Sequence, residues 1–313
     1  MSQLEARREQ GAIIEGSELR PAPKPKPVWR SGLAPYTFIL PIVCFALLLL
    51  VYPVLYSLAL SFRDATVDTF VGGDMPFVGF ANYQQSLSNP TFWLALQNTI
   101  VFTFCSILFQ FTIGFLLALF FQREFPIKNI LIALLLIPWV APVLTAAYTF
   151  RGLFNDVGPI NHILQWFGLT GIPWLASPAF ALPATIVANI WIGFPFNFIL
   201  LYSGIRNIPL EIYEAARLDG AGYWRRVGSI TLPILKPVTV AVLMLGTIYT
   251  VKVFDLVWIM TGGGPANSSQ LLSTYAYQVG FSMLNFGQAA AIATVIVLLI
   301  LSLNLIQLLL QRR

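Results

Sequence analysis

Long apolar runs alternate with short polar stretches along nearly the whole chain, and the lengths of the runs predict its architecture. Six of them, residues 36–60, 96–121, 129–150, 180–203, 238–260 and 286–310, come close to the roughly 20 residues that a helix needs to cross a bilayer core. The expected fold class is an all-α membrane protein with six transmembrane helices. Pro41, Pro53, Pro138, Pro142, Pro183 and Pro195 fall inside these runs and should interrupt them locally. Lipid tolerates such breaks where neighbouring helices or a water-filled cavity satisfy the freed backbone groups, which hints at a pathway through the bundle. Residues 1–35 break the pattern. They are polar and pass through PAPKPKP at residues 21–27, a composition that predicts an extended, disordered tail. No apolar stretch follows a basic start there, so the tail is expected to be retained.

One polar island interrupts the later runs: residues 208–237, IPLEIYEAARLDGAGYWRRVGSITLPILKP, which hold Glu211, Glu214, Arg217, Asp219, Arg225, Arg226 and Lys236. A polar island between two membrane segments must lie in water at a membrane face. Ile208, Ile212, Ala215 and Ala216 recur at helical spacing, with Glu211 and Glu214 on another side. Leu218 and Asp219 lead into Gly220, which reads as a helix end in a conformation that glycine adopts cheaply. A second helix is expected over residues 221–230, with Asp219 as its N-cap and Tyr223, Val227 and Ile230 along one face, closed by Leu232, Pro233 and Pro237. Such a unit is either a plain connector or a docking surface. The slim face of Ala215 and Ala216 beside a glutamate suits entry into a narrow cleft.

Composition supports the membrane class and orients it. The chain of 313 residues is 57% hydrophobic and 10% charged, with a mean hydropathy of +0.76, whereas soluble domains are roughly a quarter charged. The net charge of +5 is spread over short loops rather than gathered on one face, so it argues topology and not nucleic-acid binding. With the tail inside, the inner segments carry Arg7, Arg8, Arg20, Lys24, Lys26, Arg30, Arg123, Lys128, Arg206, Arg217, Arg225, Arg226, Lys236, Arg312 and Arg313. The outer loops then carry only Arg63 and Arg151. The asymmetry places both termini and the polar island in the cytoplasm.

Inside the membrane runs, Lys252 and Asp255 are three apart in the fifth run and are expected on one helix face. Charges at that depth cost at least roughly 2.5 kcal/mol each, so they should pair or face a cavity. A structural ion pair and a solute contact both fit. Gln110, Asn189, Trp191, Asn197, Tyr202 and Tyr249 are further polar or aromatic groups at depth. Asn189, Trp191 and Asn197, with Tyr249, Lys252 and Asp255, make a candidate substrate pathway, because sugars offer hydroxyls to amides and C–H faces to aromatic rings. An enzyme reading finds little support. His162 is alone in an outer loop, Cys44 and Cys105 show no metal-ligand spacing, and no phosphate-binding loop pattern is present.

The run Glu214, Ala215, Ala216, Asp219, Gly220, Ala221, followed by Ile230, Leu232 and Pro233, resembles the EAA loop of permease subunits of binding-protein-dependent ABC importers. Residues 77–99 and 258–281 resemble outer segments of carbohydrate importers, the latter that of the first permease of the maltose, lactose and glycerol phosphate type. The resemblance covers nearly everything after residue 35. It implies a type I importer transmembrane domain over residues 36–313, with residues 206–237 as a coupling loop whose helix enters a cleft on a cytoplasmic ATPase subunit. It also implies a second homologous permease, two ATPase copies holding ATP and Mg, an extracytoplasmic solute-binding protein, no cofactor in this chain, and a place in the bacterial inner membrane. In this family Gly262, Gly263, Gly264 and Pro265 would lie in an outer loop, as a plain turn or a binding-protein contact. An ion-gradient-driven secondary transporter is the alternative; it would be expected to show an intramembrane carboxylate relay or inverted repeats, and Asp255 is the only acidic residue at depth.

Overall fold

The structure, a computed structural model, describes residues 34–311 and the side chains of residues 38–310. The predicted tail up to residue 33, with its basic residues, and Arg312 and Arg313 lie outside the described residues. Contacts divide the chain into two units that meet between Val54 and Leu55, and the second unit holds every element that builds the sites below.

Among the described residues, five helices are long and apolar enough to cross a membrane: α1 (Phe38–Leu60), α2 (Pro90–Phe120), α5 (Ala181–Arg206), α7 (Tyr223–Val251) and α10 (Phe286–Leu310). Between α2 and α5 the expected third span is instead a bent pair, α3 (Lys128–Val140) and α4 (Val143–Leu153), at 94° to one another. The reason is local. Ala141 precedes a proline and is held extended at φ −65° and ψ 137°, and Pro142 has no N–H to continue the ladder. Counted as one broken span, the pair brings the total to six. Among the described residues no strand forms beyond two isolated bridges.

The fifth expected span, residues 238–260, is corrected at both ends. Helix α7 begins at Tyr223 and stops at Val251; after a break at residues 252–254, α8 (Asp255–Thr261) starts as a separate helix. The early start absorbs the second helix expected over residues 221–230. Its N-cap is Gly222 rather than Asp219, and Pro233 does not close it, because a π segment at Val227–Thr231 precedes the proline and the α-helical turns restart around it. Pro195 likewise lies inside an unbroken α5.

Helices α2 and α5 form the centre of the bundle. They approach so closely that a Cβ on Gly114 would lie 2.8 Å from the Phe198 backbone nitrogen, so only glycine fits there. The start of α2 is fixed by Asn89, whose side chain accepts from the Thr91 N–H while Pro90 occupies the first turn. At the same end, the Asn98 amide donates to the carbonyls of Asn267, Ser268 and Gln270 and pins the glycine-rich loop after α8. At the opposite end, Phe121, Phe198, Leu201, Ile205, Tyr213 and Val227 close one apolar cluster. That cluster seats helix α6 (Leu210–Leu218).

Candidate functional site

The two helix breaks meet at one cavity of about 420 Å³. Trp139, Ala141 and Val143 border it from the α3–α4 bend, and Lys252, Val253, Phe254 and Asp255 border it from the α7–α8 break. Irregular backbone at membrane depth is tolerated where it lines a cavity, and here both irregular stretches do. The freed Val253 carbonyl accepts from the hydroxyl of Ser273 in α9 (Leu272–Tyr277).

Five of the six candidate pathway residues line this cavity: Asn189 and Asn197 from α5, Tyr249 from α7, and Lys252 and Asp255 from the break. Trp191 does not. Its ring packs edge-on against Phe150 at 5.4 Å, turned away by the helical spacing that points Asn189 inward. The cavity adds Gln110, already a polar group at depth in the sequence pattern, and Trp139, Phe196 and Thr250, which apolar patterning alone does not single out. Trp139, Phe196 and Tyr249 form a continuous aromatic wall, with centroids 6.1 and 5.9 Å apart, and the Lys252 ammonium lies 5.0 Å over the Tyr249 ring. Tyr202 belongs elsewhere, at the α6 end, between Lys128 and Arg206.

Polar groups on the floor are held in part. Gln110 Nε2 donates to the Asn189 carbonyl at 2.9 Å, and Asn197 Nδ2 donates to the Gly193 carbonyl at 3.0 Å. Gln110 lies flat over Gly193, where a Cβ would collide with its amide. Asn189 is only 7% exposed, and its side-chain Nδ2 has no protein partner. An unpaired buried donor costs about 1–3 kcal/mol, and this one belongs to a side chain lining a cavity.

Lys252 and Asp255 do not form the expected pair on one helix face. The one ion pair among the described residues joins Lys128 and Glu124 at 2.9 Å. Lys252 follows the last turn of α7 and Asp255 opens the first turn of α8, so each charge sits at the helix end whose dipole favours it. Among the described residues no group of three or more His, Cys, Asp or Glu side chains could share a metal ion.

The second region is α6 with its turn. Asp219 caps α6, Gly220 follows at φ +73°, and the N–H groups of Gly220 and Ala221 return to the carbonyls of Arg217 and Ala216 at 3.0 and 2.9 Å. That double return is a Schellman ending, and the positive φ explains the glycine. Arg226 Nη1 donates to the Ala221 carbonyl at 2.7 Å and holds the turn against α7. Glu211, Glu214, Ala215, Arg217, Asp219 and Gly220 are exposed, while Ala216 and Ala221 are half-buried. The buried face differs from the expected one. Ile208 is buried, but Ile212 and Ala215 are exposed, and the residue that anchors α6 is Tyr213, whose hydroxyl pairs with the Thr231 hydroxyl at 3.0 Å. Tyr223, Val227 and Ile230 do pack together against the bundle. Beyond α2, the Lys128 ammonium donates to Glu124 and holds its carboxyl below the usual carboxylate range.

Residues 110–313 match the family described as binding-protein-dependent transport system inner membrane component. The trehalose/maltose transport system permease protein of Thermococcus litoralis is 34% identical over 282 residues, covering 90% of this chain and 94% of that protein. The sulfoquinovosyl glycerol transport system permease protein of Agrobacterium fabrum is 36% identical over 249 residues, covering 79% and 80%. Among solved structures, a bacterial ABC transporter involved in the import of the acidic polysaccharide alginate matches with a TM-score of 0.77 at 24% identity, over 90% of this chain and 95% of that one. The chain belongs to the family of inner-membrane permease subunits of binding-protein-dependent ABC transport systems. It is a multi-pass membrane transport subunit rather than an enzyme, and membership in an ATP-driven class leaves no role for the ion-gradient alternative.

Proposed function

We propose that this permease carries a sugar or sugar derivative into the cytoplasm, with the 420 Å³ cavity as its solute site and α6 as its ATPase dock. The observation that carries the reading is Asn189. A buried amide donor without a partner, beside the Asn197 and Gln110 amides and an aromatic wall, has the chemistry that a carbohydrate completes. Relatives named for trehalose, maltose and sulfoquinovosyl glycerol support that substrate class.

Transport runs by alternating access in this reading. An outer solute-binding protein delivers the sugar, and a second homologous permease closes the other half of the pathway. Two ATPase subunits hold ATP and Mg, and their closure is transmitted through Glu214, Ala215, Ala216, Asp219, Gly220 and Ala221 in the 206–237 loop. Both termini lie in the cytoplasm, with the tail of residues 1–35 and the positive loops on the same side. The two helix breaks supply the deformable elements: α8 and α4 share an apolar cluster and are each joined to a neighbouring helix by a short non-helical link.

The test is ATP-dependent uptake of labelled trehalose, maltose and sulfoquinovosyl glycerol by the reconstituted transporter, with wild type and Asn189→Ala at equal abundance. The expected result is uptake of at least one sugar and a loss of about tenfold in apparent affinity in the variant. Equal affinity in both proteins would remove Asn189 from the solute site.

A further inference from the structure

Beside α6, on the side facing the bundle, lies a recess of about 270 Å³ that shares no lining residue with the proposed solute cavity and is not lined by Glu214, Ala215 or Ala216. Leu119, Gln122 and Arg123 line it from the end of α2 and the residues after it, Tyr213 and Arg217 from α6, and Tyr223, Arg226 and Thr231 from α7. Three arginines from separate elements thus line one recess, and no carboxylate residue lines it. None of the three is ion-paired among the described residues. Two are already positioned: Arg226 by its bond to the Ala221 carbonyl, and Arg123 by packing 5.9 Å over the Tyr223 ring. Like charges repel when brought together, and an arrangement of three is relieved by an anion that accepts from all of them.

We propose that this recess binds a phosphate group. Guanidinium donors match phosphate oxygens in pairs, and the Gln122 amide and the Tyr223 hydroxyl stand by as further donors. The volume admits a phosphate with part of its ester substituent. A phosphate bound there links the end of α2, α6 and the start of α7, the three elements that set where α6 stands. Its occupancy therefore stiffens the α6 platform without touching the exposed Glu214 face. Two sources share this chemistry: the headgroup of an anionic phospholipid, and a free phosphate compound of the cytoplasm.

The experiment uses the intact nucleotide-free transporter in nanodiscs at low ionic strength, as wild type, as Arg123→Gln/Arg217→Gln, as Arg217→Gln alone, and as Arg225→Gln. Arg225 is exposed and outside the recess, so it controls for general charge. One arm measures binding of radiolabelled inorganic phosphate in phosphatidylcholine discs, where the ATPase subunits contribute the same background throughout. The other measures phosphatidylglycerol retained per transporter in native mass spectra from mixed discs. Each lost guanidinium should weaken binding by roughly three- to tenfold, with the double variant weakest, while Arg225→Gln behaves as wild type. Variant-dependent phosphate binding assigns the free source, and variant-dependent phosphatidylglycerol retention assigns the lipid. No difference between wild type and the double variant in either arm, or an equal loss in Arg225→Gln, overturns the site.

Discussion

The cavity and the α6 loop are both polar interruptions of an apolar chain, yet they are built in opposite ways. At the cavity, Gln110, Asn189 and Asn197 are buried and point inward from tightly packed helices, and two broken helices complete the wall. At α6, Glu211, Glu214 and Asp219 face outward, and the helix is fastened by Tyr213 on one side and by a glycine turn at its end. Buried, partly unsatisfied amides suit a small solute that supplies the missing partners. Exposed charges on a helix fixed from behind suit a protein surface that approaches from outside. A substitution at the first region should therefore alter the bundle itself, and one at the second only its partnership.

Gly114→Val should have the largest effect. Its Cβ would meet backbone atoms of Asn197 and Phe198, which cannot move aside as a side-chain tip can, so a cost of about 3 kcal/mol or more is expected. Thermal unfolding of the purified subunit should show a large fall or no folded protein; an unchanged midpoint would mean that the α2–α5 contact is loose. Glu214→Ala comes next. It should leave the fold intact and weaken ATPase association by about ten- to a hundredfold, with Glu211→Ala doing less, as read by co-purification at matched membrane abundance. Equal retention of the ATPase in all three proteins would return α6 to a plain connector.

Gly220→Val should be milder. Nothing lies within 4 Å of a Cβ built there, so only the backbone strain at φ +73° counts, about 1–2 kcal/mol. ATPase docking should weaken while membrane insertion stays at the wild-type level; a variant with full coupled uptake would show that the turn tolerates another geometry. The smallest effect concerns Lys252 and Asp255. Since they form no ion pair, Lys252→Gln and Asp255→Asn should combine with a coupling below about 0.5 kcal/mol in a thermal-stability cycle. Strong coupling would mean that the two charges meet in a state with a different α7–α8 geometry.

Much of this arrangement is legible in the sequence. The apolar runs mark the spans to within a few residues at α1, α5 and α10, and the charged island with its EAA pattern marks α6. Gly220 announces its own left-handed turn, because no other residue adopts that conformation at so small a cost. The differences cluster where a local signal has two outcomes. A proline either sits within a helix or breaks it. Pro195 lies inside α5, whereas Pro142 stands at a 94° bend after an extended Ala141, so the residue type alone does not choose between the two outcomes. Helical spacing puts Lys252 and Asp255 on one face, but the helix ends between them, so the spacing rule has no object there. The α6 anchor escapes sequence reasoning because Tyr213 reads as one polar-tipped aromatic among charges; its partner, Thr231, is 18 residues away along the chain.

By itself the sequence determined that this is a helical membrane protein, where most spans lie, and which loop carries the charges of the coupling pattern. Those properties follow from hydrophobic length, backbone conformational cost and a short run of local residue types, all of which act within a turn or two of chain. Only the tertiary structure decided that the α3–α4 bend and the α7–α8 break open onto the same cavity. The same is true of the Asn189 amide left without a partner, and of the three arginines from separate elements that share one recess. These depend on which side chains meet across helices far apart in the chain, and a one-dimensional pattern carries no term for that distance.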